Sequence, residues 1–362
     1  MKIYRPLFNL VSRERLRKLL NQKFTLPQLL NRVKYEMSDK GKALLVFRPT
    51  WMTVYVSDRC NLACGFCVNQ SPDRANAGLG FHEPLQDMTL ARLREILDKT
   101  PEIMVVTLAG IGEPTVNPEI YDMAREIRGR HMRANLITNG VLLKRDADKV
   151  LSAGFNEILV SVNAVNESAF AAVVNKPPHT FGVVIDGVRA IIQRRGRRSE
   201  PKVRIAFVCT KSNYRQMHDF ISLGKELRVD GVRFHNLITD GMKRYEIDQC
   251  LFEDDQDVVQ YIRDLKEAGH GSGWPEVEFP PLLPRHVQER KCQWYHKNLC
   301  VDSNGSVSGC GRFIVPRPEY GNVLTNRDAW NGQHFRDMRE MFSDSTIPLL
   351  SCCQHCVENA RQ

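Results

Sequence analysis

The sequence has no apolar stretch approaching the ~18 residues that a membrane-crossing helix needs, so no transmembrane helix is expected. Its N-terminus lacks an apolar core followed by a small-residue cleavage site, so no signal peptide is expected either. Both absences make the cytoplasm the expected compartment. Disulfides are rare there, and the eleven cysteines of the 362-residue chain then argue for metal or redox chemistry. Concentrated basic patches are also scarce. The net charge of +9 is dispersed, and its clearest clusters are Arg13 to Lys34 and Arg194 to Arg198. The second reads as a solvated loop. The pattern does not point to nucleic acid, whereas an acidic substrate or an acidic electron donor such as flavodoxin or ferredoxin could use a basic face.

What is present is a compact cysteine run. Cys60, Cys64 and Cys67 lie in Cys-Asn-Leu-Ala-Cys-Gly-Phe-Cys, a C-x₃-C-x₂-C spacing with no fourth cysteine close behind. Three thiolates this close can hold three irons of a [4Fe–4S] cube, and four would saturate it. The remaining iron is then open, as metal positions that take a substrate or cofactor are. The bland alternative is three buried cysteines that happen to cluster.

Residues 1–46 read as short basic helices, with Leu16, Leu19 and Leu20, and then Leu26, Leu29, Leu30 and Val33, at helical spacing. A cap packed on the main domain is the preferred reading, with a membrane-surface or partner-binding helix as the alternative. From about residue 51, strand-like runs alternate with helix-like ones. The strands are expected at Met52–Ser57, Met104–Leu108, Arg133–Ile137, Glu157–Val162, Val203–Cys209 and Gly231–His235. Helices are expected at Leu90–Leu97, with Thr89 as N-cap, Ile120–Arg128, Lys144–Ser152, Phe181–Gln193 and Arg215–Leu227. Such alternation implies βα units around a parallel sheet, with functional groups at the C-terminal strand ends.

The motifs fall at those ends. The cysteine run follows the first strand. The second strand ends in Leu108-Ala109-Gly110-Ile111-Gly112-Glu113-Pro114, the third in Thr138-Asn139-Gly140, and the fourth in Ser161-Val162-Asn163. This order resembles the radical S-adenosylmethionine (radical SAM) enzymes, whose Gly-Gly-Glu-Pro motif is matched except that Ile111 replaces a glycine. The resemblance covers residues about 50–240 and implies an α/β fold, a partial (β/α)₆ barrel. In that family the open iron chelates the methionine part of SAM, and reductive C–S cleavage yields a 5′-deoxyadenosyl radical. It further implies SAM contacts from Phe66, Gly110, Gly112, Glu113, Pro114, Thr138, Asn139, Ser161 and Asn163. Glycines let backbone carbonyls approach a ligand closely, and Glu113 either meets the SAM amino group or braces the loop. Phe66 could equally shield the cluster, and Asn163 could serve strand-end hydrogen bonding. Arg204 is a candidate for the SAM carboxylate or a buried structural arginine. Asn213 matches an asparagine common after the fifth strand. Cys209 and Cys250 belong to no cluster pattern. Each is a candidate hydrogen-atom donor or simply a buried small hydrophobe.

Six cysteines remain. Cys292, Gly305 and Cys310 follow a C-x₉₋₁₅-G-x₄-C pattern, and Cys353-x₂-Cys356 comes later. Asp302-Ser303-Asn304-Gly305 is a turn signal that lets Val301 and Val307 flank a hairpin. These features, with Gly321-Asn322 and Trp330-Asn331, resemble the auxiliary-cluster domains called SPASM and twitch. The resemblance implies that Cys292, Cys310, Cys353 and Cys356 close a second [4Fe–4S] cluster, leaving Cys300 and Cys352 over. The sequence ends six residues past Cys356, so one auxiliary cluster is expected rather than two. A structural zinc site is the alternative for these cysteines.

The expected organisation is a helical extension at 1–46, a radical SAM barrel at 47–240, a connecting segment at 241–291 and an auxiliary-cluster domain at 292–362. The expected activity is dehydrogenation of a small carbohydrate or aminocyclitol-type metabolite. Alternatives are epimerisation of a sugar or peptide with a cysteine donor, and modification of a ribosomal peptide. Relatives of the last kind carry a leader-binding domain built of strands and helices, and residues 1–46 show no strand pattern. The non-enzyme alternative is an iron–sulfur electron carrier or a zinc module.

Overall fold

Short apolar runs produce the strands at the expected places, give or take a residue or two. They are β1 (Trp51–Tyr55), β2 (Val105–Ala109), β3 (Arg133–Thr138), β4 (Glu157–Ser161), β5 (Lys202–Cys209) and β6 (Gly231–Asn236). A computed structural model describes residues 24–39, 41–67, 85–237, 247–269, 271, 273–285, 290, 292–311, 315–326, 328–354 and 356. β1 to β6 pair in parallel and in chain order, as an open (β/α)₆ barrel requires.

Two further pieces extend the sheet. β7 (Glu276–Glu278) pairs in parallel with β6. On the other edge β8 (Asn298–Val301) pairs in parallel with β1 and antiparallel with β9 (Ser306–Ser308), which pairs with β10 (Arg317–Asn322). The expected hairpin around Gly305 therefore joins the barrel sheet directly. Gly305 has φ +81°, and a Cβ there would lie 2.6 Å from Leu324.

Strand alternation sorts the side chains into two layers. Met52, Val54, Val106, Leu108, Phe207 and Phe234 join the core under the helices. Phe207, for example, lies 5.0 Å from Phe220 of α7 (Met217–Leu227; helices are numbered along the chain). Residues of opposite parity line the concave face. The covering helices include α2 (Leu90–Lys99), where Thr89 Oγ1 accepts from Arg92 N at 3.1 Å as the expected N-cap. They also include α3 (Ile120–Gly129), α4 (Ala147–Ser152) and α6 (Thr180–Arg195). α5 (Glu167–Val174), unanticipated from sequence, is capped by Asn166 and ends at Asn175 with φ +51°. α8 (Gln256–Glu267) follows β6. The basic run Arg194–Arg198, expected as a solvated loop, begins inside α6, where Arg195 pairs with Asp230 and Arg194 with Asp148.

The N-terminal extension packs on the main domain, but not through its leucine stripe. α1 (Leu26–Met37) forms, but its leucine stripe faces outward: Leu26 is 67% exposed and Leu30 54%. It docks through the opposite side. Gln28 Nε2 donates to Ile103 O at 2.8 Å, Asn31 exchanges hydrogen bonds with the Arg48 backbone, and Tyr35 meets Phe47 edge-on at 5.1 Å. Leu16, Leu19, Leu20 and the part of the basic cluster from Arg13 to Lys23 lie outside the described residues. The extension is clasped by α9 (Gln333–Ser343). There the buried Arg339 donates to the carbonyls of Ala43, Tyr295 and Trp330, and Trp330 Nε1 donates to Phe47 O at 3.0 Å.

Candidate active site

The site begins where β1 and β2 end. Gly112 N donates to Ser57 O at 3.0 Å and Glu113 N to Arg59 O at 2.7 Å, so the β2 loop lies flat on the segment leading to Cys60. Only glycine allows this approach. A Cβ on Gly112 would fall 2.1 Å from Arg59 O, and one on Gly110 would fall 2.7 Å from Gly112 O. The glycines of this motif thus join two loops. Glu113 fixes the third. Its Oε1 accepts from Thr115 N (2.9 Å), Thr115 Oγ1 (2.5 Å) and Thr138 Oγ1 (2.6 Å), and its Oε2 from Asn139 N (2.6 Å). Burial pushes this carboxyl up from its ordinary range, and the same hydrogen bonds pull it back. The geometry makes Glu113 a brace between β2 and β3. Pro114 opens the short turn at Pro114–Val116.

The cysteine loop is also docked on α5, through Ala63 N to Val174 O (3.2 Å) and Gly65 N to Val173 O (2.8 Å). Asn139 Nδ2 holds Asn61 Oδ1 at 2.7 Å and lies 3.9 Å from Cys60 Sγ. Burial raises the Cys64 thiol to about 12, and the charges of Cys67 and Cys60 add to this. Cys60 is raised by burial too, against a hydrogen bond from Leu62 N, with Glu113 and Cys67 adding. Thiols that disfavour one another's ionisation are close together, and a bound cation reverses that penalty. The three residues therefore fit a cluster in their number, proximity and donor chemistry.

Around this centre the expected SAM contacts divide. Ser161 ends β4 on the concave face. Thr138 and Asn139 end β3 but spend polar atoms on Glu113 and Asn61. Asn163, at φ +59°, accepts from Val208 N at 3.1 Å, so its amide oxygen serves strand-end bonding between β4 and β5. Asn213 caps the β5 turn, accepting from Thr210 N at 2.7 Å. Phe66 packs against the small apolar cluster of Leu237, Cys250, Phe252 and Leu283.

Two expectations are overturned. Arg204 sits near the start of β5, far along the strand from the cysteine loop. Its guanidinium donates to Glu276 (2.8 Å) and Glu278 (3.2 Å), with Glu157 at 3.6 Å. It is the structural arginine, not a SAM contact. Cys209 is fully buried on the helix-facing side with Phe207, because strand parity turns it away from the concave face. It cannot reach a substrate radical there. Cys250 is buried, with its Sγ 3.5 Å from Leu237 O, and shares its cluster with Phe66 and the concave-face residue Val208. Sequence reading passed over Tyr55, Asn61 and His235. Strand parity is the signal that could have found Tyr55 and His235, both on the concave face.

The C-terminal cysteines gather in turn. Burial pushes Cys292 far up, and Cys310 and Cys356 add to it; Cys353 is acted on by Cys352, Cys310 and Cys292. Among the described residues no group of three or more His, Cys, Asp or Glu is placed to hold a single metal ion. Tyr295 lies beneath this set, its hydroxyl 3.0 Å from His334 Nε2, and His334 stacks on Tyr320 at 3.8 Å. Burial lowers the His334 pKa to about 4. The unfolded chain, titrating near 6.5, binds the extra proton first, so stability is full above that pH and falls on acidification towards 4. A loss of about 1–3 kcal/mol across that window is expected, and His334→Phe should flatten it in calorimetric melting against pH. An equal slope in both proteins would refute the assignment.

A fold and site of this kind define an iron–sulfur enzyme with an open cluster at the C-terminal ends of a parallel barrel. The radical SAM superfamily model matches residues 54–223 and an iron–sulfur cluster-binding (SPASM) domain model matches residues 292–357. The chain belongs to the radical SAM superfamily and carries a C-terminal SPASM domain, with [4Fe–4S] clusters and SAM as cofactors. The auxiliary cysteines accordingly read as iron–sulfur rather than zinc ligands. It is similar to the tungsten-containing aldehyde ferredoxin oxidoreductase cofactor-modifying protein of Pyrococcus furiosus, 24% identical over 322 residues, covering 84% of this chain and 86% of that one. A probable GTP 3′,8-cyclase of Saccharolobus islandicus is 26% identical over 288 residues, covering 78% and 87%. Among solved structures, Streptococcus suis SuiB bound to precursor peptide SuiA superposes with TM-score 0.62 at 17% identity, over 87% of this chain and 71% of that one. The anSMEcpe structure with AdoMet and a peptide gives 0.57 at 16%, over 82% of each. No helix among the described residues is long and apolar enough to cross a membrane.

Proposed function

We propose that this enzyme dehydrogenates a small, hydroxyl- or amino-bearing metabolite of carbohydrate or aminocyclitol type. When bound, the first cluster supplies the electron that cleaves SAM, and the auxiliary cluster offers an acceptor for the electron left on the substrate. The observation that carries the oxidative reading is the position of the auxiliary cysteines. The hairpin that leads to Cys310 is paired directly with the barrel: Cys300 lies opposite Thr53 of β1, and a Cβ on Gly311, next to Cys310, would fall 3.5 Å from Cys300 Sγ. Cys60, Cys64 and Cys67 hold the first cluster and Cys292, Cys310, Cys353 and Cys356 the second. Gly110, Gly112 and Glu113 set the loop that faces SAM, and Ser161 offers it a hydroxyl.

A second reading is favoured by Cys250, whose cluster includes Phe66 one residue from Cys67. In that case the thiol returns hydrogen to the substrate and the reaction is redox-neutral. Peptide substrates form the third class, since the solved structures with similar folds include peptide complexes. An external reductant is needed in every case, and the basic balance of the chain suits an acidic flavodoxin or ferredoxin.

The test is anaerobic reconstitution, then incubation with SAM, dithionite and panels of aminocyclitols, sugars and peptides, read by mass spectrometry. Release of 5′-deoxyadenosine with a product two mass units lighter is expected from the small-molecule panel. A product of unchanged mass that gains solvent deuterium, lost in Cys250→Ala, would replace oxidation by epimerisation. A modified peptide alone would replace the substrate class.

A further inference from the structure

Exposed apolar side chains are not spread evenly over the molecule. Thirteen large ones are exposed among the described residues, and seven of them lie between Leu26 and Val46. Five belong to α1: Leu26, Leu29, Leu30, Val33 and Met37, the last 64% exposed. At ~100° per residue they fall within about 100° of arc, one stripe along about three turns. Leu44 and Val46 stand out from the next segment, alternating with the buried Leu45 and Phe47.

The rotation of α1 is specified by hydrogen bonds. Gln28 is fully buried and Asn31 nearly so, and both are satisfied. Gln28 Oε1 accepts from Thr25 N at 2.8 Å while its Nε2 donates to Ile103 O. Asn31 Nδ2 donates to Arg48 O at 2.9 Å, and Arg48 N donates to Asn31 Oδ1 at 2.7 Å. Turning the leucines inward would break these hydrogen bonds. A helix that buries its amides and exposes its leucines reverses the usual arrangement of a surface helix, and such an apolar face marks an interaction surface. Arg48 and Ile103 precede β1 and β2, so the stripe lies at the N-terminal ends of the strands, away from the cysteine loop.

Charge selects the partner. Lys and Arg are spread along the whole chain, but beyond residue 46 forty of them are matched by thirty-nine Asp and Glu. Residues 1–46 hold eleven against three, which is +8 of the net +9. Within the described part Lys34 and Lys42 are exposed, and Arg32 pairs with Glu36. A second copy would bring the same positive charge to this face and be repelled. The stripe is also aliphatic throughout, without the Trp, Tyr or Arg anchors that dominate protein–protein contacts. A basic segment with an aliphatic helix face suits an anionic lipid surface, whose acyl boundary takes the leucines and whose headgroups take the lysines.

We propose that α1 is a membrane-surface anchor: its outward stripe seats the enzyme on an anionic phospholipid bilayer, with the catalytic end of the barrel facing away from the lipid. The inference concerns where the enzyme sits and stands or falls separately from its substrate.

The experiment mixes the full chain, reconstituted with both clusters, with vesicles of phosphatidylcholine alone or of phosphatidylcholine with phosphatidylglycerol. Anaerobic flotation separates bound from free protein. The variants are Leu26→Gln, Leu30→Gln and Met37→Gln combined, and Val183→Gln, which alters an exposed apolar residue of α6, as control. The parent should float with the phosphatidylglycerol vesicles, float poorly with phosphatidylcholine alone, and be released as salt rises from about 0.1 to about 0.5 M. The triple variant keeps every charge and every docking hydrogen bond. Its iron content, melting temperature and SAM cleavage should match the parent's, while its affinity for the anionic vesicles falls roughly tenfold or more. Val183→Gln should bind as the parent does. Equal binding by the triple variant would reveal a charge effect alone and overturn the proposal, as would equal flotation with neutral vesicles. Flotation with neither vesicle would assign the stripe to another occupant, such as a segment of the same chain, and overturn it as well. Light scattering without vesicles tests the second copy: a parent dimer that the triple variant converts to monomer would overturn the lipid assignment.

Discussion

Replacing Cys60, Cys64 and Cys67 together by alanine should abolish SAM cleavage and lower bound iron from about eight to about four per chain. The three thiols share one loop, which hangs on three supports: the β2 glycines, Asn139 and the end of α5. None of those supports is a cysteine, so the loop should keep its path when the thiols go. The auxiliary set lies elsewhere in the chain, with Cys292 and Cys310 flanking the β8–β9 hairpin, Cys353 on α10 (Ser351–Gln354) and Cys356 just past it, and should retain its iron. With no open iron, 5′-deoxyadenosine should fall to background, a loss of several orders of magnitude. Iron and sulfide analysis with chromatographic detection of 5′-deoxyadenosine gives both numbers. Residual cleavage above background would remove these cysteines from the centre. Loss of all the iron would show that the auxiliary cysteines do not hold a cluster independently.

The parallel sheet and the cysteine loop were legible because their signals are local. A short apolar run between turn signals marks a strand wherever it lies, and three thiols within eight residues need no tertiary information to be read as a set. Errors arose where a third dimension decided. The stripe of α1 is real, but Gln28 and Asn31 find backbone partners on the barrel and turn the leucines outward. Arg204 and Cys209 both lie on β5, yet one is at the wrong end of the strand and the other on the wrong face. Counting parity from Phe207 would have placed Cys209 correctly. β7 has three residues, two of them glutamates that pair with Arg204 and Arg233, and carries no apolar run to reveal it. The site's bracing was half visible: the Gly-x-Gly-Glu-Pro turn stands in the sequence, but its partner Thr138 is joined to it only by folding.

That bracing gives the second large effect. Glu113→Ala should lower SAM cleavage by more than tenfold while both clusters remain, and should also reduce thermal stability. The carboxylate satisfies two backbone N–H groups and two hydroxyls in a buried position. Each donor left unpaired costs about 1–3 kcal/mol, so a combined loss of about 3 kcal/mol or more is expected, several degrees in melting temperature. Glu113→Gln should be nearly as damaging. The amide keeps the volume, but one of its ends presents N–H to Thr138 Oγ1 and the Thr115 groups or to Asn139 N, where acceptors are needed. Calorimetry and SAM binding measured on the same preparations separate two roles. A brace lowers stability and cleavage together, because Asn139 loses its backbone anchor and with it the hold on Asn61 beside Cys60. A direct ligand of the SAM amino group would weaken binding and leave the melting temperature where it was, and that result would return Glu113 to the contact role that its motif implies.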